Sequence, residues 1–218
     1  MEYIKFFREI SRKDKNILGD RGLRLAKLSQ KGYNIAPGFL ITTKVYEEFI
    51  KKTSLKNKIN ILLSNLENNF SNLNEVSSSI KNLILETPFP KKISEQIEDA
   101  YKSLYHDDSK NDADSLLKSN NVYVSVRTSY FNENKKINYP VFLYIKGISK
   151  ILEHIKRSYL CLFTPDSIRL IKKNKLDLGL GFGVIIQNMI PTSKSGVAKS
   201  MNKKINNQQH RKADKENG

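Results

Sequence analysis

Apolar residues along this chain are spaced like helix faces in the first half and like strands in much of the second. "YIKFF" (3–7) predicts a short strand. After a polar loop, Leu23, Leu25, Ala26 and Leu28 predict a helix over 20–31, and Gly32 supplies its C-terminal stop. "PGFLITT" brings a turn and a strand at 39–42. Thr43 can cap the following helix, "KVYEEFIKK", whose Glu47 and Glu48 sit early, where the helix dipole favours them. Two polar helices are expected over 55–70 and 74–86, the first striped by Ile59, Leu62, Leu63 and Leu66. Pro88 and Pro90 interrupt the chain. Ile93, Ile97, Ala100, Tyr101 and Leu104 then predict a helix over 91–105, followed by a polar connector at 106–121.

The second half changes period. "VYVSVRT" (122–128) alternates and is β-branched, and "PVFLYIKG" (140–147) opens with a proline where a lost donor does least harm. Ile151, Leu152, Ile155, Tyr159 and Leu162 share one face of a helix predicted over 148–163. "TPDSIRLIKK" starts another, with Thr164 as its cap and Pro165 in the first helical position. "GFGVIIQNMI" (181–190) has the continuous apolar character of a buried strand, and "SGVAKS" (195–200) is a weaker one. Beyond Asn202 only Ile205 and Ala213 are apolar, so a domain over 1–200 followed by a disordered basic tail over 201–218 is expected. Helices first and then strands mixed with helices predict an α+β fold with a mostly antiparallel sheet and packed helices.

The composition adds two constraints. At 218 residues and 39% hydrophobic, with no apolar run of membrane-spanning length and no secretory leader, the chain is expected to be a cytoplasmic globular protein. Its one cysteine, Cys161, fits a reducing compartment. A formal charge of +16 attracts phosphates and nucleic acid alike. The lysines are scattered among Asn and Ile, however, as an AT-rich genome would impose on every surface, and no aromatic-interleaved basic motif accompanies them. A basic nucleic-acid-associated protein is therefore the weakest of the readings that the charge allows.

Three side chains carry candidate chemistry. In "GDRGLRLAKL" Arg21 lies between two glycines at a helix start, where backbone N–H groups and a cation suit a phosphate. A turn with a surface arginine accounts for the same residues. Arg127 ends a buried strand and precedes two hydroxyls in "VSVRTS", a setting in which a planar guanidinium can pair with an oxyanion. An exposed strand-end charge is the plain alternative. Gln187 sits inside an apolar strand, and its amide must find partners on a nucleobase edge or on neighbouring backbone. His106, His154 and His210 are scattered, so no metal cage is expected, and Cys161 fits a helix core better than a nucleophile.

In order, "GDRGLRLAKLSQKGYNIAPGFLITTKVYEEF", "ILETPFPKKISEQIEDAYKSL", "VYVSVRTS", "YLCLFTPDSIRL" and "GVIIQNMIPTSKSGVA" resemble the N-terminal ATP-binding region of phosphoenolpyruvate synthases. Pyruvate phosphate dikinases and rifampicin phosphotransferases share that region. The resemblance covers about residues 1–198. It implies the first lobe of an ATP-grasp fold and a reaction that passes a phosphoryl group from ATP to a histidine on a swivelling domain, then to pyruvate. It also implies ATP and Mg²⁺ as ligands, with the family's phosphate-contacting lysine and arginine falling on Arg21 and Arg127 and its adenine-contacting glutamine on Gln187.

There are three departures from the family pattern. Arginine replaces the lysine, which changes reach and geometry. The family's glycine-rich phosphate loop, Ser-Phe-Ala-Gly-Gln, corresponds to a shortened "NENKKINYPVFLY" without glycine, which lacks the backbone nest that phosphates use. The family's metal-binding half, phosphohistidine domain and pyruvate barrel have no counterpart in the sequence. The expectation is a lobe that needs a second chain for activity. The alternative is a non-catalytic remnant that serves as a binding or interaction module.

Overall fold

The computed structural model describes residues 3–104, 122–130, 137–174, 181–190, 195–201 and 204–210. Five strands form one sheet in the order β1-β2-β5-β3-β4: β1 (Ile4–Phe6), β2 (Gly38–Ile41), β3 (Val124–Ser129), β4 (Val141–Ile145) and β5 (Gly183–Asn188). Every neighbouring pair runs antiparallel. The seven α-helices among the described residues are α1 (Lys15–Gln30), α2 (Thr43–Lys52), α3 (Leu55–Ser64), α4 (Leu73–Glu86), α5 (Lys91–Ser103), α6 (Ile148–Tyr159) and α7 (Pro165–Asn174). The fold is α+β, and the strands expected near 122–128, 140–147 and 181–190 share the one sheet.

The helix boundaries move for local reasons. The helix expected over 55–70 stops at Ser64, and the chain turns through Asn72, whose side-chain oxygen accepts from the Glu67 N–H at 3.1 Å. The helix expected to 163 ends at Tyr159 and tightens into a 3₁₀ turn over Leu160–Phe163. Thr43 is the first residue of α2, and the cap position falls to Thr42. Two further strands, β6 (Ser195–Met201) and β7 (Lys204–His210), form a separate antiparallel pair. Lys204–His210 thus forms a strand where the apolar count predicts a tail without structure; ladder hydrogen bonds between backbones need no apolar side chains. Residues 211–218, like the polar connector at 106–121, lie outside the described residues.

Alternation along the central strand divides the molecule. Val184 and Ile186 of β5 face the main core with Phe39, Ile41, Val124 and Val126, under Ile80, Ile84, Ile93, Ile97, Ile151 and Ile155 from the helices. Ile185 faces the other way, into a smaller cluster with Leu40, Leu18, Ala26, Phe7 and Ile10. The second face is thus covered by α1 over β2 and β5, whereas Val141 and Leu143 at the β4 end are 49% and 46% exposed.

The junction of α1 with β3 sets where that cover begins. Gly19 interrupts α1 at φ +75, ψ 167, so the helix restarts at Asp20, as the apolar spacing predicts. The Asp20 N–H donates to the Tyr130 carbonyl at 2.9 Å, and the Gly22 N–H donates to Ser129 Oγ at 2.9 Å. Ser129 Oγ in turn donates to the Leu18 carbonyl at 2.5 Å. A Cβ on Gly19 would overlap the Ser129 carbonyl and come within 2.7 Å of the Tyr130 nitrogen, while one on Gly22 would overlap Leu40. Glycine is required at Gly19 because two backbones meet there, while at Gly22 its lack of a side chain lets Leu40 pack against the helix.

Two stability predictions follow from this packing. Ile155→Ala empties a fully buried site under the sheet and should cost about 2–5 kcal/mol, seen as a lower urea midpoint at unchanged slope. Ser129→Ala strands the Gly22 N–H and should cost about 1–3 kcal/mol in the same melt. Hydrogen exchange should speed up at Gly22, and unchanged exchange there would refute the bridging role.

Candidate functional site

The open part of the second sheet face is built by strand parity. Arg127 pairs with Ile185, and Ser125 with Gln187, across β3 and β5. Directly paired residues point to one side. Arg127 and Gln187 therefore share the α1 face, two residues apart along the strands, about 7 Å. Val141 pairs with Arg127 from the β4 side and continues the same surface.

Arg21 reaches this surface from the first turn of α1 after the Gly19 break. Its Nη1 donates to the Thr128 carbonyl at 3.3 Å, and its guanidinium lies 5.8 Å from the Tyr130 ring centroid. Arg127 is close enough to feel it. Burial first, and the Arg21 charge second, push the Arg127 guanidinium below its ordinary pKa. Among the described residues neither guanidinium is paired with a carboxylate, and Arg127 Nε is buried without a hydrogen-bond partner. Two like charges side by side, one with an orphaned donor, form a site that an oxyanion satisfies.

Gln187 is half-buried, and its Nε2 donates to the Ala36 carbonyl at 3.0 Å. Neighbouring backbone is thus one partner of its amide. The oxygen has no described partner and remains an acceptor.

The structure changes two parts of the sequence reading. The first-turn N–H groups beside Arg21 do not face an anion: those of Asp20 and Gly22 are spent on the end of β3. The two hydroxyls after Arg127 do not assist it either. Thr128 lies fully buried, on the opposite face by alternation, and Ser129 is committed to α1. Of the lesser candidates, His154 Nδ1 contacts the Lys150 carbonyl at 2.7 Å and its ring lies against Phe142. Cys161 is buried, which pushes its thiol up to about 12, too high for a thiolate nucleophile. His106 lies outside the described residues, as does the 131–136 part of the glycine-free segment.

Sequence reasoning missed Tyr123 and Tyr144. Tyr123 is legible in retrospect, since it alternates with Ser125 and Arg127 along "YVSVR" and is half exposed. Tyr144 is not legible by alternation. The β3–β4 register shifts between Val124 (opposite Ile145) and Val126 (opposite Phe142), so Leu143 and Tyr144 together oppose Ser125 in a β-bulge. Tyr144 has φ +58, a left-handed conformation that costs a non-glycine residue about 1–2 kcal/mol, and it is 68% exposed. Its ring stands edge to face with Tyr123 at 6.3 Å, and Lys146 Nζ lies 5.7 Å from the Tyr123 ring centroid.

Among the described residues no three His, Cys, Asp or Glu side chains come together as a metal site. The unpaired guanidinium groups do fit the phosphates of a nucleotide. No helix among the described residues is long and apolar enough to cross a membrane.

Comparisons with known proteins place the chain among its relatives. The chain is 30% identical over 204 residues to a probable phosphoenolpyruvate synthase of Methanothermobacter thermautotrophicus, covering 90% of this chain and 28% of that protein. A probable phosphoenolpyruvate synthase of Methanocaldococcus jannaschii is 28% identical over 209 residues, 93% of this chain and 17% of its own length. The phosphoenolpyruvate synthase of Helicobacter pylori is 28% identical over 200 residues, 89% of this chain and 24% of its own length. The chain thus spans between 17% and 28% of these three relatives. The family model of the pyruvate phosphate dikinase AMP/ATP-binding domain matches residues 15–215, a span that takes in Arg21, Arg127 and Gln187, and the chain belongs to that family.

Proposed function

We propose that this chain is the ATP-holding lobe of a phosphoenolpyruvate-synthase-like phosphotransferase, built as the first lobe of an ATP-grasp fold. The observation that carries this reading is the Arg21–Arg127 pair, two adjacent guanidinium groups with no described carboxylate between them. Their mutual repulsion and the orphaned Arg127 Nε are both relieved by a polyphosphate. Gln187, tethered through Nε2 to Ala36, turns its amide oxygen to the exocyclic amino group of adenine. Sheet pleating spaces the two ends of the ligand, with the amide one rung and the cations the next.

A bound Mg²⁺ would screen the phosphates of ATP, beside the two guanidinium groups. On this reading a second chain that carries the metal-binding half, the phosphohistidine and the acceptor site completes the phosphotransferase. On this reading pyruvate is the acceptor and the setting is cytoplasmic, which suits the one buried free cysteine. The glycine-free segment before β4 supports a second reading, a lobe that binds nucleotide or a partner without catalysis.

Calorimetry with ATP and Mg²⁺ tests the reading. Arg127→Ala should weaken ATP binding at least tenfold, in line with about 1.5–3 kcal/mol for a charge-assisted hydrogen bond. Its melting temperature should not fall, because the lost group is an unpaired, partly buried cation. Affinity unchanged by Arg127→Ala, but collapsing with added salt, would mean diffuse attraction by the +16 charge and would overturn the assignment. The 218-residue chain alone should form no AMP from ATP and pyruvate; AMP formation would show that no partner is needed.

A further inference from the structure

The bulge in β4 is unexplained by packing. Tyr144 contributes nothing to either core cluster, yet it is held in a left-handed conformation that a glycine or asparagine would adopt at less cost. A strained, outward aromatic beside a cationic pair is the kind of feature that a ligand site retains.

Its surroundings say what the ring faces. The rung that contains the bulge reads Gln187, Ser125, then Leu143 and Tyr144 across three adjacent strands. Ser125 between them is buried, 2% exposed, its Oγ turned toward the Gln187 carbonyl at 3.4 Å. Gln187 and the bulge are two strand spacings apart, about 10 Å, a span that a flat heterocycle lying across the buried Ser125 bridges. Tyr123 buttresses the Tyr144 ring edge to face, and Lys146 buttresses Tyr123 in turn. One rung further along, about 7 Å, stands Arg127. Amide, aromatic wall and cations therefore follow one another in the order base, then phosphate.

We infer that Tyr144, braced by Tyr123, is the base-positioning residue of this site and stacks on the heterocycle of the bound nucleotide. The inference rests on the ATP-binding reading above. It adds a base-reading element supplied by the β4 bulge. Stacking on an aromatic face tolerates any base, so Tyr144 contributes affinity, and Gln187 contributes the choice of base.

The test separates base from phosphate and ring from backbone. Tyr144→Asn removes the ring while tolerating the left-handed backbone, so its melting temperature should stay at or above that of the wild type. Its ATP affinity should fall by roughly five- to a hundredfold, while its affinity for inorganic tripolyphosphate stays unchanged. Tyr144→Phe should retain ATP binding. Tyr144→Trp places the single indole in a chain that has no tryptophan, and ATP should quench its fluorescence where tripolyphosphate does not. ATP binding by Tyr144→Asn equal to the wild type, or an indole that responds alike to both ligands, would overturn the stacking role. Binding that needs Arg127 but not Tyr144 removes this inference and leaves the ATP reading intact. A wild-type chain that binds no ATP removes both.

Discussion

Where α1 meets the end of β3, one hydroxyl joins two backbones. Ser129 Oγ gives its hydrogen to the Leu18 carbonyl and accepts from the Gly22 N–H, and Gly19 makes room by turning left-handed between them. Nothing bulkier than glycine fits at the contact. This contact fixes the end of α1 against the sheet, and with it the height at which Arg21 stands beside Arg127. The glycines that flank Arg21 thus serve close packing first and ligand binding through its consequence.

The two faces of the sheet are stabilised unequally. One is buried under α4, α5 and α6 in a continuous apolar cluster, and burial of that area supplies the folding free energy. Among the described residues the other is covered by α1 with Phe7 and Ile10 and ends in exposed Val141, Leu143 and Tyr144. Charge contributes little to the scaffold. The ion pairs Lys52–Glu48, Lys91–Glu95, Lys102–Glu98 and Arg157–Glu153 are single-helix i,i+4 contacts that water and salt screen. Lys156 is different: its ammonium caps the carbonyls of Leu85 and Thr87 and ties the end of α4 to α6. A fold held by apolar packing can tolerate two unpaired arginines at its open end.

That open end is where stability and ligand chemistry diverge. Arg127 is partly desolvated and faces a like charge, so it costs the folded chain free energy. Tyr144 is strained. Both sit on the one part of the sheet that no described helix covers, and both lie on rungs shared with Gln187 or next to it. Residues that oppose folding and gather on one exposed surface are accounted for together by a ligand that is anionic at one end and aromatic at the other.

Much of this architecture was legible in the order of residues. Helical spacing located α5 and α6, alternation located β3 and a continuous apolar run located β5, because a face that must be buried repeats with the geometry of its element. The placement of Arg127 and Gln187 on one face follows from strand parity once their pairing is known, but the pairing itself is a tertiary fact. Local composition failed where backbone contacts decided. The strand at Lys204–His210 is held by ladder hydrogen bonds that leave no apolar trace, and the first-turn N–H groups near Arg21 found the end of β3, 107 residues away, before any anion. The bulge at Tyr144 is a register shift between two strands, and neither strand encodes it alone. By itself, then, the sequence determined the main helices, the central strands and which cations are available to a phosphate, because periodicity and charge are properties of single segments. Only the tertiary structure decided which donors remain free, which hydroxyls are already spent, and which aromatic stands over the site, because each of those depends on contacts between segments far apart in the chain.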